Sequence, residues 1–380
     1  MRLLEYQGKE ILRRHGVATP QGLVATTPEQ AREAAVKLGP AVVKVQIPTG
    51  GRGKAGGIKV ADSPEEAAQR AAELLGATIK GFEVETLLVE EKAALEQELY
   101  LGITIDNRHG VAVLMFCASG GMDIEEVAAK TPELVHKMEI PPGRKLEEYE
   151  ARNLIRKAGF TGKTLVQIAT IATKLYQCFC EYDLVVAEIN PLGILADGRV
   201  VAADCKMEVD DNALFRHSEF GSDGDQIRDP LEREAKDIGV TYVKLDGDIG
   251  IIASGAGLGM NTMDLIQEKG HRPANFLETG GGITRELMRR AVQLVAKHEQ
   301  VRGIIVNLYG GVNPLVAAAE GVVDGVEALP ERLPVVVKAL GNQQEEAQAV
   351  LKAAGIPVVN SVRTEDAVAE LVRQLEGRSA

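Results

Sequence analysis

The chain has no tryptophan, 4% aromatic residues and four cysteines among its 380 residues. Cys117, Cys178, Cys180 and Cys205 show neither CxxC pairs nor zinc-finger spacing, so they read as reduced thiols in a cytosolic setting. No apolar run approaches the roughly 20 residues that a membrane helix needs. The opening "MRLLEYQGKEILRRHGV" mixes acids with bases at helical spacing and is neither a signal peptide nor a typical transit peptide. The expected location is cytoplasmic or matrix-like, with no membrane partner. None of the six histidines (His15, His109, His136, His217, His271, His298) sits in a nucleophile or metal motif, and GxSxG, HExxH and Walker A patterns are missing. The 43 basic against 55 acidic residues give a net charge of −12, which argues against nucleic-acid binding.

What is present, 45% hydrophobic and 26% charged residues, fits an α/β protein of two or three domains. Two styles of sequence meet near the polar stretch 221–239, which predicts domains over 1–235 and 240–380. In the first, residues 26–39 and 63–75 read as helices opening on a Thr or Ser before "PE", an N-cap followed by Pro at N1. "KTLVQIATIATKLYQCFCEYD" is an amphipathic helix, and it feeds a hairpin, "LVVAEINPLGIL–ADGR–VVAADCKMEV", turning on Asp-Gly. In the second, the short apolar strands "IGIIAS", "ANFLE", "GIIVNLYG", "PVVVKAL" and "IPVVNS" alternate with helix-length segments, the pattern of a parallel doubly wound sheet.

Three groups of residues can carry chemistry. "PTGGRGKAGG" (48–57) places five glycines and two cations in ten residues, more than a hairpin turn requires. Its amides with Arg52 or Lys54 could cover an anion such as a nucleotide phosphate. Lys44, in the apolar run "AVVKVQI", needs either that anion or an internal ion pair. In the 184–206 hairpin, Glu188 and Asn190 share a strand face and Asp204 can face them. Oxygen ligands of this kind suit Mg²⁺ with substrate phosphates, the alternative being a solvated face. Glu90 and Glu98, at strand ends, could meet ribose or base edges or simply be surface carboxylates. Third, "SGAGLGMNTMDLI", "ETGGGITRELM" and "NLYGGVNPLV" each carry a glycine loop from a strand into a helix start, where free amides bind anions. Two separate anion sites without a nucleophile imply half an enzyme, completed by a partner.

"LLEYQGKEIL", "GGRGKAGGIKV", "ELYLG", "EINPL", "DDNALFR", "GAGLGMNTMD" and "PANFLETGGG" together give the chain a resemblance, over essentially its whole length, to the β subunit of succinate–CoA ligase. The resemblance implies an N-terminal ATP-grasp domain and a C-terminal flavodoxin-like CoA-ligase domain. It implies nucleotide contacts from Lys44, Gly51, Arg52 and Gly53, with Glu90, Ala93 and Glu98 elsewhere in that pocket. Asn190 and Asp204 would hold one Mg²⁺ with ATP or ADP, and Glu188 would face a phosphohistidine borne by an α subunit that also carries most of the CoA site. Gly280, Gly281 and Gly282 would bind phosphate at a helix N-terminus. Ser254, Gly311, Val312 and Asn313 would border succinate or a related dicarboxylate. Ser254 stands where the family has Asn, and the 311–314 loop also departs from the family. A malate–CoA ligase large chain therefore remains an alternative, as does a regulatory paralogue without turnover. An oxidoreductase built on the GxGxG loop would leave the N-terminal half unexplained.

Overall fold

The computed structural model describes residues 1–122, 124–221, 227–311 and 314–379. The chain divides into two compact units, Met1–Ser222 and Asp223–Ala380. The division falls ahead of the helix Pro230–Ile238, whose Ala235 belongs to the core of the second unit, rather than at residue 235 within it. Among the described residues, no helix is long and apolar enough to cross a membrane.

The first unit holds two main antiparallel sheets and a short two-stranded ribbon, Thr78–Ile79 with Phe82–Glu83. In the smaller, strands run in the order Gly22–Ala25, Leu87–Glu91, Ala41–Val45, Ile58–Ala61. Helices Pro28–Leu38 and Pro64–Leu74 cover one face, and their caps are those expected: Thr27 and Ser63 each accept a first-turn amide at 3.2 Å. Strand alternation sends Val43, Val45, Leu87 and Val89 into the core beneath these helices. Lys44, between Val43 and Val45, and Glu90, next to Val89, are thereby turned to the opposite face, where they bond to each other.

The larger sheet has the strand order Val200–Ala202, Leu184–Leu195, Leu95–Asp106, Val111–Cys117, His136–Ile140, with Lys206–Val209 also paired to Leu184–Leu195. Helix Gly162–Glu181 buries its stripe of Leu165, Ile168, Ile171, Leu175 and Cys178 in the core of this sheet. The hairpin's return arm is two strands rather than one. The register is the same on both sides of the break, Leu192 opposite Ala202 and Glu188 opposite Lys206. Between them the ladder keeps one bond, from the Ala203 amide to the Pro191 carbonyl at 3.1 Å, and then opens at Asp204–Cys205, where Asp204 folds its carboxylate back onto the Cys205 amide.

The second unit is a five-stranded sheet in the order Thr241–Lys244, Asn275–Glu278, Ile249–Ala253, Gly303–Gly310, Val335–Gly341. The last four are parallel, and the first is an antiparallel edge strand. Helices cover both faces over separate apolar clusters, so the sheet is doubly wound. Two details differ from the sequence reading. Thr241–Lys244 was not anticipated, and "IPVVNS" contributes only an isolated bridge between Val337 and Val358. Pro357 there has no N–H to extend a ladder. Strand order reverses at Ile249–Ala253, so the loops that follow it and its two neighbours meet at the carboxyl edge of the sheet.

Candidate functional site

A cleft of about 540 Å³ opens in the first unit. The glycine loop lines it with Gly51, Arg52, Gly53 and Lys54, and the hairpin with Glu188, Asn190 and Asp204. The loop folds through consecutive turns, Ala55 and Gly57 both donating to the Arg52 carbonyl, and Gly51 and Gly56 adopt positive φ. The Lys80 ammonium pins it by donating to the Gly50 carbonyl at 2.6 Å. Lys54 is exposed in the cleft, whereas Arg52 turns inward and is 7% exposed.

Beneath the loop lies a closed network of three cations and three acids. The Lys44 ammonium donates to Glu5 Oε1 at 2.9 Å, Glu90 Oε2 at 2.7 Å and the Ala203 carbonyl at 2.8 Å. Lys9 contacts Glu5 Oε1 at 2.8 Å, Glu90 Oε1 at 2.5 Å and the same carbonyl at 2.8 Å. Arg52 places Nη1 2.8 Å from Glu5 Oε2 and donates from Nη2 to Asp204 Oδ1 at 2.7 Å. Burial alone would raise the Glu5 carboxyl, but Lys44, Lys9 and Arg52 hold it well below its ordinary value. Burial likewise opposes the charged forms of Lys44 and Arg52, and the acids around them reverse this and raise both. Burial, with the Glu5 charge, pushes the Asp204 carboxyl up against the pull of Arg52, Lys44 and Lys9.

Glu5 and Lys9 come from the N-terminal helix Glu5–Arg14, one turn apart on its buried face. From sequence they look like an ordinary exposed i,i+4 pair, and they were missed. The available signal was Gly8 between them: a Cβ there would lie 2.8 Å from Cys205 Sγ, so glycine lets the helix sit against the site.

The structure corrects the expectation for Lys44. Its three N–H bonds are taken by Glu5, Glu90 and Ala203, so the internal ion pair holds and the ammonium offers no donor to the cleft. Glu90 lies in the same network, away from the cleft lining. Neither Ala93, half-buried in the link between the two sheets, nor the exposed Glu98 lines the cleft.

Asn190 and Asp204 bring side-chain oxygens to the same cleft. The register on both sides of the ladder break puts them opposite one another, and both line the cleft. Asn190 Oδ1 accepts from Gly121 N at 2.8 Å, and Nδ2 donates to Met122 O at 2.9 Å and Glu188 Oε1 at 3.2 Å. One lone pair of Oδ1 and the second carboxylate oxygen of Asp204 remain as hard donors, which suits Mg²⁺ sharing its shell with phosphates and water. None of the six histidines lines this cleft, and His15, His109, His217, His271 and His298 are each bonded to a nearby acid or carbonyl. His109 joins Asp106 and Glu139 in a small surface group of ligand-type side chains.

In the second unit the glycine loops lie at the strands' carboxyl ends. The Ser254 hydroxyl is held by the Tyr309 backbone, accepting from its N–H at 2.8 Å and donating to its carbonyl at 3.2 Å. Gly280–Gly282 are not at a helix N-terminus. The helix begins at Arg285, because Thr284 is its N-cap and accepts from Leu287 N at 3.1 Å. The Gly280 amide donates to Glu278 Oε1 at 2.8 Å. Gly311 follows the strand Gly303–Gly310, while Val312 and Asn313 lie outside the described residues.

Comparison with known proteins gives a consistent picture. Residues 2–194 match the family model of an ATP-grasp domain and residues 252–372 that of a CoA-ligase. The chain is 44% identical over 374 residues to succinate–CoA ligase [ADP-forming] subunit beta of Ignicoccus hospitalis, covering 98% of this chain and 99% of that one. It is 43% identical to the [GDP-forming] subunit beta of Thermus thermophilus, covering 99% and 100%. It is 42% identical to the [ADP-forming] subunit of Burkholderia thailandensis over the whole of both chains. The fold is shared with the solved ATP citrate lyase of Methanothrix soehngenii, at a TM-score of 0.75 and 18% identity over 97% of this chain and 99% of that one.

Proposed function

The chain belongs to the succinate–CoA ligase β-subunit family, and from that premise we propose that it is the nucleotide-handling subunit of an acid–thiol ligase. The reaction joins succinate or a related dicarboxylate to CoA with ATP, reversibly, through a phosphohistidine on an α subunit. The observation that carries this reading is the cleft itself. A glycine loop bearing Arg52 and Lys54, the opposed oxygens of Asn190 and Asp204, and the Glu188 carboxylate line one cavity that contains no histidine.

Each residue then has a role. Loop amides and the exposed Lys54 ammonium cradle phosphate oxygens, and Arg52 orients the terminal phosphate. Asn190 and Asp204 hold Mg²⁺, which supplies charge neutralisation across the phosphates. Glu188, fixed by Asn190, accepts the ring N–H of the α-subunit histidine, leaving the other ring nitrogen to take the γ-phosphoryl group. In the second unit, Ser254 and the glycine loops at the strands' carboxyl ends border the dicarboxylate and its acyl phosphate.

The test is acyl-CoA formation by this chain mixed with its α subunit, Mg²⁺, CoA and ATP or GTP, against a panel of succinate, malate and other dicarboxylates. Turnover that needs both chains supports the reading, and the preferred acid and base name the substrates. No turnover with any acid, beside an α subunit that works with another β chain, contradicts it.

A further inference from the structure

Asp204 is both the carboxylate best placed for a metal ion and the partner of Arg52. Its Oδ1 accepts from Arg52 Nη2 and from the Cys205 amide, each at 2.7 Å. The guanidinium is anchored on its other side by the Val45 carbonyl at 3.1 Å and Glu5 Oε2 at 2.8 Å, so it cannot withdraw freely. The network is balanced as it stands: Lys9, Lys44 and Arg52 against Glu5, Glu90 and Asp204. A bare divalent cation reaching Asp204 would share that carboxylate with a cation already bonded to it. Lys54, Lys80, Lys206 and Arg2 on the cleft wall stand against Glu125 and Glu188 there, so the wall offers a bare cation no excess of negative charge. A nucleotide phosphate relieves both effects, because it offers Arg52 Nη2 a replacement acceptor and brings negative charge beside the metal.

We propose that Arg52 and the metal compete for the Asp204 carboxylate, so that the metal is taken up together with phosphate and poorly without it. Arg52 is thus a latch between the glycine loop and the metal position, and nucleotide and metal are thermodynamically linked through it. This rests on the reading of the cleft as a metal–nucleotide site.

The test is Mn²⁺ binding to the full chain with no nucleotide added, followed by electron paramagnetic resonance of the free ion, with MgATP binding measured separately by calorimetry. R52Q binds Mn²⁺ at least tenfold more tightly than the wild type, and D204N removes that gain. K54Q deletes the same charge from the same loop without touching Asp204, and it changes Mn²⁺ affinity less than threefold. Where R52Q does not fold, R52K serves, since it keeps the charge but loses the second of the two guanidinium nitrogens that reach Glu5 and Asp204 separately; a gain of threefold or more is expected. Wild-type Mn²⁺ affinity in a folded R52Q or R52K, or equal gains in K54Q and R52Q, overturns the latch. If the wild type binds MgATP normally in that case, the latch alone falls. If it binds neither MgATP nor Mn²⁺ under any condition, the site reading falls with it.

Discussion

Asn190 and Asp204 stand opposite each other where the ladder between Leu184–Leu195 and its return strands is open. A closed ladder would set the two side chains in an ordinary cross-strand pair. The opening instead lets the Ala203 carbonyl accept from both Lys9 and Lys44, while the Asp204 carboxylate turns to Arg52. One interruption in a strand therefore joins the candidate metal position to the buried charge network.

Removing Glu5 should be costly. E5Q leaves Lys9, Lys44 and Arg52 facing only Glu90 and Asp204 in a buried setting. Losing one member of such a network typically costs about 3–5 kcal/mol. Urea unfolding followed in the first unit should show a loss in that range, little reduced by added salt because the groups are sequestered. A loss under about 1 kcal/mol would mean that the network contributes little.

The same residue sets a pH signature. The Glu5 carboxyl is depressed in the folded chain, so its contribution is present above its unfolded pKa of about 4.3 and is lost as pH falls through the folded value. The stability difference between wild type and E5Q should therefore be flat from pH 8 to about pH 5 and shrink in more acidic solution. A difference that grows on acidification would contradict the assigned ion pairs.

Gly8→Ala pits two effects against each other. Alanine favours the helix by up to about 1 kcal/mol, but its Cβ would lie 2.8 Å from Cys205 Sγ. Overpacking of this kind costs about 1–3 kcal/mol, so net destabilisation and weakened nucleotide binding are expected. G8A/C205A should recover much of the loss in a double-mutant cycle, and strict additivity would show that the contact is unimportant.

Ser254→Ala removes the hydroxyl that serves both the N–H and the carbonyl of Tyr309. The second unit should lose about 1 kcal/mol in denaturant unfolding. If Ser254 also borders the acid, the KM for the dicarboxylate should rise while that for ATP stays fixed. Parallel changes in both would assign it a purely structural role.

Much of this was legible in the sequence because the signals are local. Glycine density marked the 48–57 loop, Thr27 and Ser63 marked their helices, and Asp-Gly fixed the hairpin whose register brings Asn190 to Asp204. What escaped was set by distant contacts. Lys9 meets Glu90 across 81 positions, and nothing within the turn Glu5–Lys9 separates a buried pair from a solvated one. Lys44 was open between a ligand anion and an internal partner, since the partner, Glu5, lies on another element. The helix start at Arg285 was misplaced because three glycines outweighed Thr284, the residue with the side chain that caps.

The most direct test of the proposed chemistry mixes this chain with its α subunit, Mg²⁺ and ATP labelled in the γ-phosphate, and looks for acid-labile phosphate on α. The expected result is labelling that requires both chains and is lost in D204A, with chase of the label by the dicarboxylate and CoA. Absence of labelling beside an α subunit that is phosphorylated with another β chain, or undiminished labelling in D204A, would contradict it.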